Sequence, residues 1–311
     1  MKNSTIPGPD LCTFPGNDAD TSAMDPQMTD AALDAEGSTA CGGFTISPAL
    51  IPPGPFVFAS PHSGQACPAD LGARTDLPPQ SLHSTEDALV DRLIACGPGH
   101  GAVVIAGQIA RAYLDLNRDP AELDPRLVSD VARGPLSAKV AAGFGILPRL
   151  GGDGRPLYDR LLPLQEARDR IARVHTPYHA ALAGLMQTTH ARHGRAVLID
   201  WHSMPARING GVTGPDVVLG DRYGTSCATG LTRRLRTAFE QLGWRVALNQ
   251  PYPGGYSTRI WGRPTDGFEA IQIELNRGLY FDEVTRQPGP GWSRCASGLQ
   301  RVIAGLCAAT P

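Results

Sequence analysis

The most regular pattern along the chain is a series of short apolar runs that end in polar or turn-forming residues. Runs of this length, rich in branched and aromatic side chains, are typical of buried strands. They predict strands at residues 56–60, 102–106, 112–116, 196–203, 245–248 and 270–275. The segments predicted to be helical are 86–95, 164–193, 229–242 and 298–308. Pro177 is expected to kink the second of these helices.

The alternation of strands and helices indicates one α/β domain, which we place at residues 46–311. Residues 1–45 differ from the rest because they are rich in Pro, Gly, Asp, Ser and Thr and lack apolar periodicity. Such a composition predicts a flexible N-terminal arm, either poorly ordered or lying on the domain. No internal repeat is visible.

Composition and charge restrict the class of protein. Hydrophobic residues make up 41% of the chain and charged residues 19%, as in a globular protein with a full core. The formal net charge of −2 offers no general attraction for nucleic acid or an anionic membrane, so the expected partner is a small molecule. The sequence shows no apolar leader and no apolar run long enough to cross a membrane. Its seven cysteines form no CxxC pair and are odd in number, so we expect a cytoplasmic protein with reduced thiols. The oligomeric state is left open.

Two histidines, His62 and His202, each follow an apolar run that is predicted to be a strand. Ligand sites form at the carboxyl ends of parallel strands, and catalytic zinc usually takes three His, Asp or Glu ligands. Asp87, in the first turn of a predicted helix, is the candidate for the third ligand. Spacing alone leaves open the alternative that both histidines are hydrogen-bonded structural residues.

The polar segment after residue 110 contains two guanidinium groups beside an amide, in Arg111, Asn117 and Arg118. Arginine suits a bidentate grip on a carboxylate, so an anion site is one interpretation, and a structural ion pair with Asp115 is the other. Arg259 adds a further cation after a glycine pair, where either a mobile lid or an ordinary turn fits the sequence.

Glu274 lies in an alternating segment that places it on the same strand face as Gln272. Burial at that position would raise the pKa of the carboxyl group toward neutrality, which suits a general base. The alternative is an ion pair with Arg277.

Five segments taken together, in this order along the chain, resemble the N-formylglutamate amidohydrolase family. They are SPHSG (60–64), DLNR (115–118), DWHS (200–203), GGYSTR (254–259) and QIELNR (272–277). Supporting stretches are GFGILPRL (143–150), PYH (177–179) and LGDRYGTSC (219–227), so the resemblance covers about residues 56–283. No GxSxG or GxGxxG motif is present, which leaves serine hydrolases and nucleotide-binding enzymes with little support.

The resemblance implies a fold similar to the zinc carboxypeptidases and aspartoacylases. That fold is a three-layer α/β/α arrangement with a mixed, mostly parallel sheet, helices on both faces and one zinc ion per chain. In those relatives the first metal-binding histidine belongs to an HxxE pattern, whereas here the third residue after His62 is Gln65. Asp87, with Glu86 beside it, is the best match for the missing acidic ligand, and His202 completes the expected set.

The resemblance also implies roles for the other candidate residues. Glu274 corresponds to the catalytic carboxylate, and Asn117 with Arg118 to the pair that holds a substrate carboxylate. Arg111 would polarise the scissile carbonyl and Arg259 would bind a second substrate carboxylate. Tyr256 would close over the substrate.

The activity implied is hydrolysis of the N-formyl amide of an acidic amino acid such as N-formyl-L-glutamate, giving formate and glutamate, an activity associated with histidine catabolism. Two alternatives remain at this point. The same zinc chemistry could serve another N-acyl amino acid or a short peptide, or the chain could be a metal-free binding module on the same fold.

Overall fold

The computed structural model describes residues 39–41, 43–132, 134–208 and 212–308. These residues lie in one compact unit. The strands found there are β1 (Thr39–Cys41), β2 (Phe44–Ser47), β3 (Phe56–Ser60), β4 (Val103–Gly107), β5 (Ala196–Met204), β6 (Arg207–Ile208), β7 (Val212–Thr213), β8 (Val217–Gly220), β9 (Val246–Leu248), β10 (Phe268–Asn276), β11 (Phe281–Asp282) and β12 (Gln287–Pro288).

Eight of the strands form one sheet in the order β1-β2-β4-β3-β5-β10-β8-β9. The four central strands β4, β3, β5 and β10 are parallel, and β2 and β8 pair antiparallel to them on either side. β9 pairs parallel to β8, and β1 antiparallel to β2. The sheet is therefore mixed and mostly parallel, as the sequence led us to expect.

Helices cover both faces of this sheet. They are α1 (Pro79–His83), α2 (Val90–Leu93), α3 (Ala138–Ala141), α4 (Leu164–Arg170), α5 (Thr176–His193), α6 (Thr229–Glu240), α7 (Tyr256–Trp261) and α8 (Trp292–Ala308). Helix α5 packs with one apolar core on one face, whereas α6 and α8 pack with a second core on the other. The predicted three-layer α/β/α architecture is confirmed.

Side-chain alternation along the central strands places polar groups at one end of the sheet. In β5, Leu198 belongs to the core beneath α5, and the next residues on that face are Asp200 and His202. In β10, Gln272 and Glu274 stand beside those two residues in register. One face of the sheet therefore changes from apolar to polar toward the carboxyl ends of the strands.

The strand predicted at residues 112–116 is wrong: this buried segment is a succession of turns. Its backbone groups are satisfied individually rather than by a strand ladder. The N–H of Asp115 donates to the carbonyl of Ile146 at 2.8 Å, and Nε2 of His179 bonds the carbonyl of Leu116 at 2.8 Å. The apolar alternation reflects burial, which does not require a strand.

The long helix predicted at residues 164–193 is present, but its middle is a π-helical turn, Ile171–His175, between α4 and α5. Pro177 lies in the first turn of α5. Because the proline ring clashes with the carbonyl four residues earlier, the irregularity falls on the turn before it. The helix predicted at residues 86–95 is reduced to α2, while the closing helix α8 starts six residues earlier than predicted.

The predicted N-terminal arm falls largely outside the described residues. Its end is not separate from the domain, however, because β2 begins at Phe44, which is buried, and pairs with β4. In the described part of the chain, no helix combines the length and apolar character that a membrane crossing requires.

Candidate metal centre and its cavity

Three buried side chains converge at the carboxyl end of the central strands. His62 lies in the turn after β3, His202 lies within β5, and Asp87 lies in the loop before α2. The Nδ1 atoms of the two histidines are 3.2 Å apart, and Asp87 Oδ2 lies 3.3 Å from the first and 2.9 Å from the second. Among the described residues, this is the group of three His, Cys, Asp or Glu side chains that could hold a metal ion.

Two further carboxylates fix the orientation of the imidazole rings. His62 Nε2 is 2.7 Å from Asp115 Oδ1, and His202 Nε2 is 3.1 Å from Asp200 Oδ2. A carboxylate only accepts hydrogen bonds, so each of these two histidines can hold a proton on its Nε2, and in that tautomer each Nδ1 keeps a lone pair for a metal ion. This carboxylate–histidine arrangement is the one that orients imidazole ligands toward metals.

The convergence of these atoms fits a metal ion. Two imidazole lone pairs and an ionised carboxylate meet within 3.3 Å, and none of the three supplies a proton to the others in these protonation states. Tetrahedral zinc with ligands at about 2.0–2.1 Å places neighbouring ligand atoms about 3.3 Å apart. The observed triangle is of that size.

The pKa shifts of Asp87 and His202 indicate that the cluster favours a positive charge at its centre. Burial by itself would raise the pKa of Asp87, but hydrogen bonds with His202 and His62 lower it well below the usual range. Burial would likewise lower the pKa of His202, but the charges of Asp200 and Asp87 raise it well above the usual value. A bound cation at the centre of the triangle would satisfy the same electrostatic demand.

The second oxygen of Asp87 is held away from the histidines. Ser203 donates its hydroxyl proton to Asp87 Oδ1 at 3.1 Å, and the guanidinium of Arg277 lies 3.5 Å from the same oxygen. Arg277 also donates to Ser203 at 3.0 Å. These contacts leave Oδ2 alone directed at the two imidazoles.

The structure separates Asp87 from the other acidic candidate. Glu86 is buried too, but its carboxylate bonds His83 at 2.5 Å and Arg286 at 2.8 Å, so it is turned away from His62 and His202. Gln65, which stands where the resemblance leads one to expect a carboxylate, is exposed. The acidic member of the cluster therefore comes from the loop before α2.

Glu274 shares a cavity with the cluster. It lies beside His202 on the neighbouring parallel strand, and Gln272 donates to its Oε1 at 2.6 Å. Burial raises its pKa to about 7, although the charge of His202 acts in the opposite direction. A carboxyl group with this pKa can both accept and return a proton near neutral pH.

The cavity has a volume of about 300 Å³ and is rich in cationic groups. Arg111, Arg118, Lys139 and Arg277 all line it, together with Glu274. Arg111 is tied to Asp115, to which its Nε donates at 2.9 Å. The ion pair that the sequence offered as an alternative to an anion site is thus present, and Arg111 still reaches the cavity wall.

Asn117 has a different environment from the substrate anchor that we expected. Its Nδ2 lies 3.1 Å from His202 Nε2 and donates to Asp200 and Gln272 at 3.3 Å, and its Oδ1 accepts from the N–H of Ser257 at 2.9 Å. Both ends of the amide are therefore used within the protein. Asn117 ties the loop at residues 115–118 to β5, β10 and α7.

Arg259 and Tyr256 do not line this cavity. They line a neighbouring surface hollow, which shares Asn117 and Arg118 with the cavity. Arg259 pairs with Asp119 and lies over the ring of Tyr256, with its guanidinium carbon Cζ 5.2 Å from the ring centre. The structure thus separates these two predicted substrate contacts from Glu274 and the metal-ligand candidates.

Several residues of the site were not identified from the sequence. Asp200, Ser203, Gln272 and Arg277 all lie inside the motifs DWHS and QIELNR. The alternation with apolar residues placed Asp200 and Gln272 on the strand faces of His202 and Glu274, so for these two the signal was available. Lys139 lies outside every such motif, and no sequence pattern pointed to it.

The part of the chain that contains these site residues is similar to known proteins. The profile of the N-formylglutamate amidohydrolase family matches residues 54–281. The N-formylglutamate deformylases of Pseudomonas aeruginosa and Pseudomonas putida are 32% and 30% identical over 234 residues, which make up 74% of this chain and 83% and 82% of those proteins. The crystal structure of N-formylglutamate amidohydrolase from Ralstonia eutropha superposes with a TM-score of 0.80 at 32% identity, covering 86% of this chain and 98% of that one. The chain therefore belongs to the N-formylglutamate amidohydrolase family, a family of hydrolases that act on amide bonds.

Proposed function

We propose that this protein is a zinc-dependent amidohydrolase that removes the formyl group from an acidic N-formyl amino acid such as N-formyl-L-glutamate. The observation that carries the proposal is the joint presence, in one cavity, of the His62–Asp87–His202 cluster and the carboxyl group of Glu274. The named activities of the relatives from Pseudomonas and Ralstonia support the choice of substrate.

His62, Asp87 and His202 would hold the zinc ion, one per chain. When bound, zinc supplies Lewis-acid polarisation and lowers the pKa of coordinated water toward neutrality. Three protein ligands leave a position open for water or substrate, as catalytic zinc sites require. Asp115 and Asp200 would keep both imidazoles in the tautomer that presents Nδ1.

Glu274 serves as the proton carrier in this proposal. As a carboxylate it accepts a proton from the attacking water while the oxygen bonds to the formyl carbon. It then gives that proton to the amide nitrogen as the C–N bond breaks, so formate and the free amino acid are released. A pKa of about 7 suits both transfers at neutral pH.

Arg111 serves as the cation that stabilises the developing oxyanion. Its Nε and one Nη are paired with Asp115, and its other Nη bonds the carbonyl of Thr85 at 3.3 Å. These bonds hold the guanidinium rigidly at the cavity wall, which is the condition for electrostatic stabilisation of a transition state. Arg118 supplies a further cation for a substrate carboxylate.

The test is turnover of a panel of N-formyl and N-acetyl amino acids by zinc-loaded protein, followed as release of formate or acetate. We expect the highest kcat/KM for N-formyl-L-glutamate and loss of activity after chelation, with recovery on adding zinc back. A preference for acetylated or neutral substrates would overturn the proposed specificity. Purified protein that binds no metal and hydrolyses no member of the panel would favour a binding module.

A further inference from the structure

The four cations that line the cavity differ in how their hydrogen-bond donors are used. Arg111 is committed to Asp115, and Arg277 is committed to Ser203 and to the carbonyl of Glu86. Donors that are already paired inside the protein gain little from a new ligand, because the old bonds must be broken first. The two remaining cations are therefore the better candidates for binding the carboxylates of a substrate.

Arg118 and Lys139 are those two cations. The buried Nε of Arg118 has no hydrogen-bond partner, and the nearest Asp115 oxygen is 3.6 Å away. Lys139 has no carboxylate within ion-pair distance among the residues that the structure describes, and it contacts the ring of Tyr252 at 5.7 Å from Nζ to the ring centre. Its side chain remains open to solvent where it faces the cavity.

The backbone of Lys139 is held in place, although its ammonium group has no ion-pair partner among the described residues. Its helix α3 is capped by Ser137, whose oxygen accepts from the N–H of Val140, and Val140 is buried. The guanidinium of Arg126 donates to the carbonyls of Val140 and Ala141. The cation therefore projects from an anchored turn, so binding a ligand would order the Lys139 side chain but not its backbone.

The electrostatics of this wall favour an incoming carboxylate. The protein around the cavity partly removes Lys139 from water, which lowers the pKa of its ammonium group, and the positive charges of Arg118 and Arg111 lower it further. A carboxylate placed between these cations would relieve that repulsion and favour the charged ammonium.

Arg259, which the sequence offered for the second substrate carboxylate, is less suited to that role. It is half-exposed, pairs with Asp119 and lies at the neighbouring hollow rather than in the cavity. The charge of Asp119 would have to be displaced before a second carboxylate could bind there.

We propose that Lys139 binds the side-chain carboxylate of a dicarboxylic N-formyl substrate while Arg118 binds the α-carboxylate. This inference rests on the proposed function. It makes Lys139 the residue that separates acidic from neutral N-formyl amino acids.

The experiment compares N-formyl-L-glutamate with N-formyl-L-glutamine, which has nearly the same size but lacks the side-chain charge. For Lys139→Met we expect kcat/KM for N-formylglutamate to fall by about 10- to 100-fold, the usual range for losing a charged hydrogen bond. The loss should appear mainly in KM, and turnover of N-formylglutamine should change by less than about 3-fold. Lys139→Arg should retain most of the preference for the acidic substrate.

Arg259→Ala is the matched comparison, because it removes a cation from the neighbouring hollow. A lost acidic preference in Arg259→Ala together with an unchanged preference in Lys139→Met would overturn the inference and leave the proposed function standing. Failure of the wild-type zinc-loaded protein to hydrolyse either substrate would overturn both. Binding of the product L-glutamate, measured by calorimetry, should weaken at least about 10-fold in Lys139→Met, whereas binding of L-glutamine should not.

Discussion

The chemistry of the site depends on which atom of each histidine carries the proton. Asp115 and Asp200 lie against the Nε2 atoms of His62 and His202, and with the proton on each Nε2 both Nδ1 lone pairs are available to a metal ion beside Asp87. Removing one of these outer carboxylates would leave the ligand in place but free its ring to rotate or change tautomer.

Asp115→Asn is therefore expected to weaken zinc binding about 10- to 100-fold, the usual cost of losing such a partner. Titration against a chelator of known affinity measures the change. Asp124→Asn is the matched control, because Asp124 is equally buried and paired with Arg126 and Arg149, away from the cavity. Equal zinc affinity in the two variants would contradict the role assigned to Asp115.

Glu274→Gln tests the proton carrier. We expect it to bind zinc normally but to lower kcat by at least about 100-fold, the scale for a positioned acid–base group. Zinc content and kcat, measured on the same preparation, check this. A variant with wild-type kcat would remove Glu274 from the mechanism.

The pH dependence of the rate follows from the same carboxyl group. A base must be deprotonated to act, and the pKa of Glu274 is about 7. The wild-type kcat/KM should therefore fall about tenfold per pH unit below pH 7 and level off above it. A profile that stays flat from pH 5 to pH 8 would contradict the raised pKa.

Among the elements, the loop before α7 passes close to the site. Gly255 donates its N–H to Gln272 at 2.8 Å, and a Cβ at this position would lie 2.4 Å from the side-chain nitrogen of Asn117. Only glycine lets the backbone come this near to an amide that is itself fixed by β5 and β10.

Gly255→Ala is expected to displace Asn117 and lower kcat/KM by more than about tenfold, as small misplacements near reacting groups do. Gly184→Ala is the control, because this glycine lies in the exposed middle of α5 with no atom near its Cβ position. That variant should keep full activity and gain up to about 1 kcal/mol of stability from helix propensity. Steady-state kinetics and thermal melts distinguish the two outcomes.

The π-helical turn before α5 also bears on the site. Nε2 of His175 bonds the carbonyl of Arg118 at 3.0 Å, and Nε2 of His179 bonds that of Leu116 at 2.8 Å. Burial lowers the pKa of His179 to about 4, so its ring is neutral at pH 7 and donates a single Nε2–H to the carbonyl. The two histidines hold the loop that carries Asn117.

At the scale of the whole molecule, the metal-ligand candidates connect distant parts of the chain. His62, Asp87 and His202 come from the β3 turn, the loop before α2 and β5, and a metal ion bound by all three would link these parts of the chain. Metal that binds only the folded chain stabilises it by mass action.

Chelation should therefore lower the melting temperature of the zinc-loaded protein. Zinc present at a thousandfold above its dissociation constant contributes about 4 kcal/mol of unfolding free energy. Differential scanning calorimetry with and without chelator measures the shift. His202→Ala should show little response to the chelator, and an equal shift in that variant would place the stabilising metal elsewhere.

Much of the architecture could be predicted from local pattern. The apolar runs at residues 56–60 and 196–203 became β3 and β5, because a continuous run bounded by turn residues suits a strand buried on both faces. The same rule failed at residues 112–116, where burial is equally complete but the backbone bonds come from neighbouring loops. Periodicity reports burial and leaves the hydrogen-bond partners unspecified.

The sequence by itself determined the α/β class, the polar residues on the faces of β5 and β10, and the family, since these depend on local pattern and on ordered motifs. Only the tertiary structure decided which carboxylate faces His62 and His202, because Glu86 and Asp87 are adjacent acidic residues whose side chains point in different directions. It also decided that Lys139 lines the cavity and Arg259 does not. Those positions depend on how loops far apart in sequence pack against the end of the sheet, which no spacing of residues along the chain records.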